Sequence, residues 1–239
     1  MKPKLVCLTG LLCDELVWQE VAKRLEAIAD VSIISFAGFD DLTAMAQHVL
    51  EQVHGEFALA GHSMGARVAL EVYRLAPERV THLALLNTGV HPKSEKEVPG
   101  RIRLLELAQE QGTKALAVDW LRPMMSSKGL SNSALMVKLE GMVSAYSVEQ
   151  FAGQINALLN RPNAQAILAT ITVPTLLLSG TEDTWSPAAQ HQAMQESITG
   201  SELVVVEGVG HMAPVEDPEK VAVAMQAWLE KGSEAYEKR

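Results

Sequence analysis

The sequence predicts an α/β fold: an open, mostly or wholly parallel sheet of about six strands, helices on both faces, and one all-helical insertion. Three observations carry that prediction. Short apolar runs alternate with helix-period runs through residues 1–87 and again through 163–239. Between them, residues 88–162 hold several helix patterns and no strand pattern. The core is therefore read as 1–87 with 163–239, and the insertion, a cap or lid, as 88–162. Third, a serine stands between two glycines where a buried strand turns into a helix, in FALAGHSMGARVALEVY (residues 57–73).

The elements follow in order. Residues 4–9 (KLVCLT) read as a strand, and Trp18, Val21, Ala22 and Leu25 mark the first helix. Residues 31–36 form a second strand, and Leu42, Met45, Ala46, Val49 and Val53 share one face of a second helix. Residues 57–60 are a buried strand. The helix after it carries Ala69, Val72, Tyr73 and Ala76 on one face and stops at Pro77. Residues 80–87 (VTHLALLN) are a further strand. Strict alternation implies right-handed crossovers, which bring every strand's C-terminal end to one edge of the sheet, where such sheets bind ligands.

In the insertion, Leu135, Lys138, Leu139 and Met142 share a helix face, as do Phe151, Ala152, Ile155, Leu158 and Leu159, with Ser147 and Gln150 spaced as a capping box. This segment holds nine Lys/Arg against seven Asp/Glu, so it is net cationic in a chain of net charge −9. An all-helical insertion at a strand's C-terminal end is expected to cover the ligand edge. The alternation resumes with the strand at 173–180, a helix near 188–196, the strand at 202–206 and a closing helix with Val221, Ala224, Met225 and Trp228 inward. The polar tail from Gly232 is expected to fray.

Bulk properties narrow the function classes. With 48% hydrophobic and 21% charged residues the chain can bury a sizeable core. A net charge of −9 with no basic stripe argues against nucleic acid. The apolar run at 5–8 is too short for a signal peptide or a spanning helix, so no membrane partner is expected, and two cysteines expected as free thiols fit a reduced cytoplasmic setting. Cys7 and Cys13 sit across a strand and a loop with no C-x-x-C and no His neighbour, so free thiols are expected and no metal or cofactor.

The chemistry concentrates at three strand ends. In Gly61-His62-Ser63-Met64-Gly65 the turn is too tight for side chains at the glycines and lifts the Ser63 hydroxyl above the sheet edge. A neutral serine is a weak nucleophile and needs a base; His211, after the last strand, suits that near neutral pH. The His needs a carboxylate to hold its tautomer, and Asp183 or Glu182 follows the preceding strand. The Met64 N–H, at the start of a helix, is placed to meet a developing oxyanion.

Ser, then Asp, then His resembles the order of the α/β-hydrolase family, and the likeness covers essentially the whole chain. It rests on the turn at 61–65, on Gly180-Thr181-Glu182-Asp183, on Gly210-His211 with Asp217-Pro218, and on Leu11-Leu12-Cys13-Asp14 ending at Trp18. The resemblance implies a triad of Ser63, Asp183 and His211, with Asp183 preferred because Pro187 follows four residues on. It also implies an oxyanion hole from the Leu11 and Met64 amides. Two features depart from the family. Thr9 stands where a His often precedes the oxyanion loop, and the chain opens on the strand before that loop rather than on an antiparallel pair. Dehalogenases and epoxide hydrolases of this fold use an Asp nucleophile, so Ser63 argues against both.

The resulting expectation is a serine hydrolase acting on a small carboxylic ester, thioester or lactone, as a monomer or homodimer. C–C hydrolysis, lyase chemistry or cofactor-free oxidation is the alternative on the same fold, favoured if Arg122 or Arg161 proves sensitive. A non-catalytic binding protein is the third reading. Around the centre, Trp120 and Trp185 are expected as pocket walls, Leu12, Met125 and Met212 as lining, and Arg122 or His91 as a partner for a substrate carboxylate. Met124, Met125, Met136 and Met142 suit either an acyl pocket or ordinary helix packing. His62 is read as a support for the centre; His48, His54, His82 and His191 are read as solvated.

Overall fold

A computed structural model describes residues 2–231. The tail from Gly232, expected to fray, lies outside the described residues. Six strands, β1 (Lys4–Leu8), β2 (Asp30–Ile34), β3 (Phe57–His62), β4 (Val80–Leu86), β5 (Thr175–Gly180) and β6 (Glu202–Val206), form one sheet in the order β2-β1-β3-β4-β5-β6. Every pairing is parallel. The reason lies in the strand compositions. β3 and β5 are buried at every position, as alternating side chains require when helices cover both faces, whereas the edge strands β2 and β6 keep exposed residues.

Before the insertion come α1 (Leu16–Leu25), α2 (Leu42–Gln52) and α3 (Met64–Leu75). Between β4 and β5 lie α4 (Val98–Gln111), α5 (Ser127–Ser131), α6 (Ser133–Ser144) and α7 (Val148–Leu159). A π-helical turn (Ala117–Leu121) and a 3₁₀ turn (Arg122–Met124) connect α4 to α5, and no strand falls between β4 and β5. After β5 follow α8 (Ala188–Ser197), α9 (Ala213–Glu216) and α10 (Pro218–Leu229). Local chemistry sets these boundaries. Asp41 accepts the Ala44 N–H at the start of α2, Ser147 and Gln150 close a reciprocal capping box on α7, and Asp217 caps α10 ahead of Pro218.

The chain leaves β1 for β2 on one side and returns to β3 on the other, so the crevice past the C-terminal ends of β1 and β3 is the topological switch point. The turn after β3 is set by contact. A Cβ at Gly61 would lie 2.4 Å from the Gly65 carbonyl oxygen, and one at Gly65 would lie 2.4 Å from the Leu8 carbonyl oxygen at the end of β1. Both obstacles are backbone atoms, which cannot rotate away. Gly65→Ala is therefore expected to push α3 off β1, destabilising the fold by roughly 1–3 kcal/mol or more; urea unfolding of the variant beside the wild type measures this.

Candidate active site

Ser63 sits at φ +55°, ψ −115°, between the last residue of β3 and the first of α3. That backbone is strained for a residue with a side chain, and neighbouring contacts hold it: Ser63 N–H donates to the Leu86 carbonyl at 2.9 Å, and the Thr88 hydroxyl donates to the Ser63 carbonyl at 3.0 Å. The end of β4 thus braces the turn after β3.

Ser63 Oγ lies 2.9 Å from His211 Nε2. His211 Nδ1 lies 3.0 Å from Asp183 Oδ2 and 3.1 Å from Oδ1. With Nδ1–H donating to the carboxylate, Nε2 is the lone-pair nitrogen and accepts the Ser63 hydroxyl; this tautomer follows from the network. The acid turn and the His loop are joined by backbone bonds, Thr181 N–H to the Val206 carbonyl at 3.0 Å and Glu182 N–H to the Val209 carbonyl at 2.9 Å. Two loops distant in sequence are therefore held in one register.

Asp183 is buried, and burial alone would raise its pKa. Hydrogen bonds from His211, from Ser186 and from Asn87 outweigh that effect and hold the carboxyl well below the usual carboxylate range. Trp185 and Ser186 amides donate to Oδ1 at 2.9 Å each, and Oδ2 accepts from Ser186 Oγ at 2.8 Å and Asn87 Nδ2 at 2.9 Å. A carboxylate so supplied with donors stays charged beside an imidazole that gains a proton. Glu182 faces elsewhere: its Oε2 accepts the Ser127 N–H and hydroxyl.

His62 is fully buried, and its Nε2–H donates to the His211 carbonyl at 2.8 Å. Burial, then the neighbouring His211, pushes its pKa down to about 3, so it is neutral near pH 7 and serves to anchor the His211 backbone.

The loop after β1 faces Ser63 from the other side of the crevice. Leu12 takes φ +53°, its N–H donates to Gln154 Oε1 of α7 at 2.8 Å, and the Cys13 N–H donates to the Gly10 carbonyl at 3.3 Å. The Leu11 N–H has no acceptor among the described residues. The Met64 N–H, first in α3, has no intrahelical acceptor. Both residues line the cavity with Ser63. Buried Gln154 also donates from Nε2 to the Phe36 carbonyl at 3.1 Å, tying the loops after β1 and β2 to α7. Gln154→Leu is expected to leave the Leu12 amide unpaired, at roughly 1–3 kcal/mol, and the Phe36 carbonyl with only the Phe39 N–H at 3.3 Å. At about 2–4 °C per kcal/mol for a chain this long, a fall in Tm of several degrees follows, readable by calorimetry.

These groups open onto a cavity of about 470 Å³. The insertion supplies Leu104, Trp120, Met124, Ile155 and Leu158 to its wall, and Trp185 and Ser186 border it from the acid turn. No group of three or more His, Cys, Asp or Glu among the described residues is placed to hold a metal ion.

The pattern of the alpha/beta hydrolase family matches residues 5–224. The chain belongs to that family. Among curated relatives it is 30% identical over 189 residues to the (E)-2-((N-methylformamido)methylene)succinate hydrolase of Acinetobacter baylyi, across 74% of this chain and 66% of the relative. It is 29% identical over 170 residues to a protein of Klebsiella pneumoniae provisionally named carbamate hydrolase RutD, across 67% of this chain and 61% of the relative. The matched segments thus fall short of two thirds of these relatives' own lengths. A solved structure of a thermophilic esterase from Thermogutta terrifontis, malate bound, superposes with a TM-score of 0.87 at 26% identity, covering 97% of this chain and 90% of that one.

Within this alpha/beta hydrolase, several pocket expectations need correcting. Arg122 lies on the outer surface, paired with Glu140 at 3.4 Å, and does not line the cavity. Met125 is buried beside it, and its neighbour Met124 reaches the wall instead. Leu12 is wholly buried in the core, and only its amide serves the loop. Met212 borders a small recess behind Ser63 rather than the main cavity. His191 is buried, not solvated, and its Nε2 accepts the Thr88 N–H at 3.1 Å. Cys7 and Cys13 are free and buried. No helix among the described residues is long and apolar enough to cross a membrane. Sequence reading passed over Asn87, Thr88, Ser186, Gln154 and Arg67; of these only Asn87, at a strand's C-terminal end, stood where a site residue is looked for.

Proposed function

We propose that this chain is a serine hydrolase that cleaves a small carboxylic ester, thioester or lactone through an acyl-enzyme on Ser63. The observation that carries this reading is the unbroken hydrogen-bonded chain from Ser63 Oγ through His211 to Asp183, opening on a cavity lined by Leu11 and Met64. Family membership and the hydrolase and esterase names of its relatives support hydrolysis as the reaction type.

In the proposed cycle Ser63 Oγ bonds to the carbonyl carbon while its proton passes to His211 Nε2. The carbonyl oxygen becomes an oxyanion, met by the Leu11 and Met64 N–H groups. The tetrahedral intermediate expels the alcohol or thiol, which takes the proton from His211. Water then attacks the acyl carbon, gives its proton to His211, and Ser63 leaves with that proton restored. Residues 88–162 act as a cap that keeps bulk water from the cavity. Purified protein is expected to hydrolyse p-nitrophenyl acetate and butyrate faster than long-chain esters, given a cavity of about 470 Å³. Absence of turnover across that ester series, with folded protein, would refute the reading.

A further inference from the structure

The proposed hydrolase cavity has a cationic wall that its own acids do not neutralise. Arg67, Lys96, Arg101 and Arg103 line it, against Glu97 and Asp119. Arg103 and Asp119 pair at 2.8 Å on the exposed rim and cancel. Glu97 is held from behind the wall: its Oε1 accepts from buried Arg161 at 2.6 Å and from the Ser94 N–H at 2.9 Å. Only Oε2 is left for Arg101, at a long 3.3 Å. Arg67 has no carboxylate partner among the described residues; its hydrogen bond is from Nη1 to the His91 carbonyl at 3.1 Å. Three guanidiniums thus crowd around one carboxylate, in a chain whose net charge is −9.

Placement makes this more than a surface feature. Arg67 stands one helical turn past Ser63, its own N–H bonded to the Ser63 carbonyl at 3.4 Å, and lines the same cavity. Burial, then the charges of Arg161 and Arg101, pushes the Arg67 pKa down to about 9; the group stays protonated near pH 7 and is short of a counter-charge. Burial likewise lowers Arg101. Like charges gathered without an anion are unfavourable, and an incoming carboxylate relieves them while taking the unspent N–H groups of Arg67.

We propose that Arg67 and Arg101 form a carboxylate-binding subsite beside Ser63, so that the substrate is an ester or lactone bearing a free carboxylate. This rests on the serine hydrolase reading for its reacting bond, but the anion site stands on its own residues. Arg161 is the structural member, its donors consumed by the His91, Leu158 and Pro92 carbonyls and Glu97.

The test compares 4-acetoxybenzoate with its methyl ester, which differ in the free carboxylate, on wild type, Arg67→Gln, Arg67→Lys and Arg101→Gln. The kcat/KM ratio of acid to methyl ester is expected to fall by about 10- to 100-fold in Arg67→Gln, with partial recovery in Arg67→Lys. Arg101→Gln, at a guanidinium already partnered by Glu97 at 3.3 Å, gives a smaller fall and serves if Arg67→Gln does not fold. An unchanged ratio in these variants, with both esters turned over, would overturn the subsite and leave the hydrolase reading intact. Calorimetric titration of glutarate into Ser63→Ala protein needs no turnover. If neither ester reacts yet glutarate binds, and Arg67→Gln added to that background abolishes binding, the subsite holds and the hydrolase reading fails. Binding of inorganic phosphate more tightly than glutarate would contradict the carboxylate assignment.

Discussion

Ser63→Ala is expected to lower kcat on p-nitrophenyl acetate by about 10⁴- to 10⁶-fold, the largest loss from any single atom in the protein. In the proposed cycle Oγ is the atom that bonds to the acyl carbon, and it is the hydroxyl that His211 Nε2 faces at 2.9 Å. The residual rate would come from the Leu11 and Met64 amides and from binding alone. Stability should change little. The contacts that hold residue 63 at φ +55° run through its backbone, to Leu86 and Thr88, and alanine keeps them. An unfolding midpoint within about a degree of wild type, together with lost turnover, separates a chemical role from a structural one.

Asp183→Asn is expected to cost about 10⁴-fold in kcat. Every group facing the carboxylate is a donor: two amides on Oδ1, and the Ser186 hydroxyl and Asn87 amide on Oδ2, besides His211 Nδ1. An asparagine must turn its NH₂ toward one of these sets of donors. His211 Nδ1 is then left with one neutral amide oxygen and an NH₂ group where two carboxylate oxygens stood, so its tautomer is no longer fixed and its charged form is no longer stabilised. Stability carries a pH signature as well. The folded pKa of Asp183 lies below the ordinary value of 3.8, so its charge stabilises the fold above about pH 4. That contribution fades as pH falls through the folded pKa. The wild type's stability advantage over Asp183→Asn should therefore be full near pH 7 and shrink on acidification below about pH 4, measured by denaturant unfolding. Glu182→Gln should keep activity within a few-fold, because Glu182 faces Ser127.

The sheet, its parallel order and the candidate centre were legible because strand burial and turn chemistry are local. The run from Phe57 to Ala60 reads as a buried strand, and Gly61 and Gly65 mark a turn where backbone packs on backbone. The pocket wall was not legible, since it depends on helix phase inside the insertion. A π-helical turn at Ala117–Leu121 followed by the 3₁₀ turn at Arg122–Met124 breaks the 3.6-residue period, so Met124 faces inward where Met125 was expected and Arg122 turns out toward Glu140. Arg67 was hidden for another reason. The helix after Ser63 reads as amphipathic with Arg67 on the polar side, and only the fold shows that this side faces the insertion rather than water. Gln154 looks like any polar helix residue until its two bonds, to Leu12 and Phe36, join loops far apart in sequence.

The most direct measurement is reaction of the folded protein with a fluorophosphonate probe, followed by peptide mapping. One label per chain on Ser63, absent from Ser63→Ala and strongly slowed in His211→Ala, is the predicted result. Folded wild-type protein that takes no label, or takes it at another residue, would contradict the assignment of Ser63 as the nucleophile.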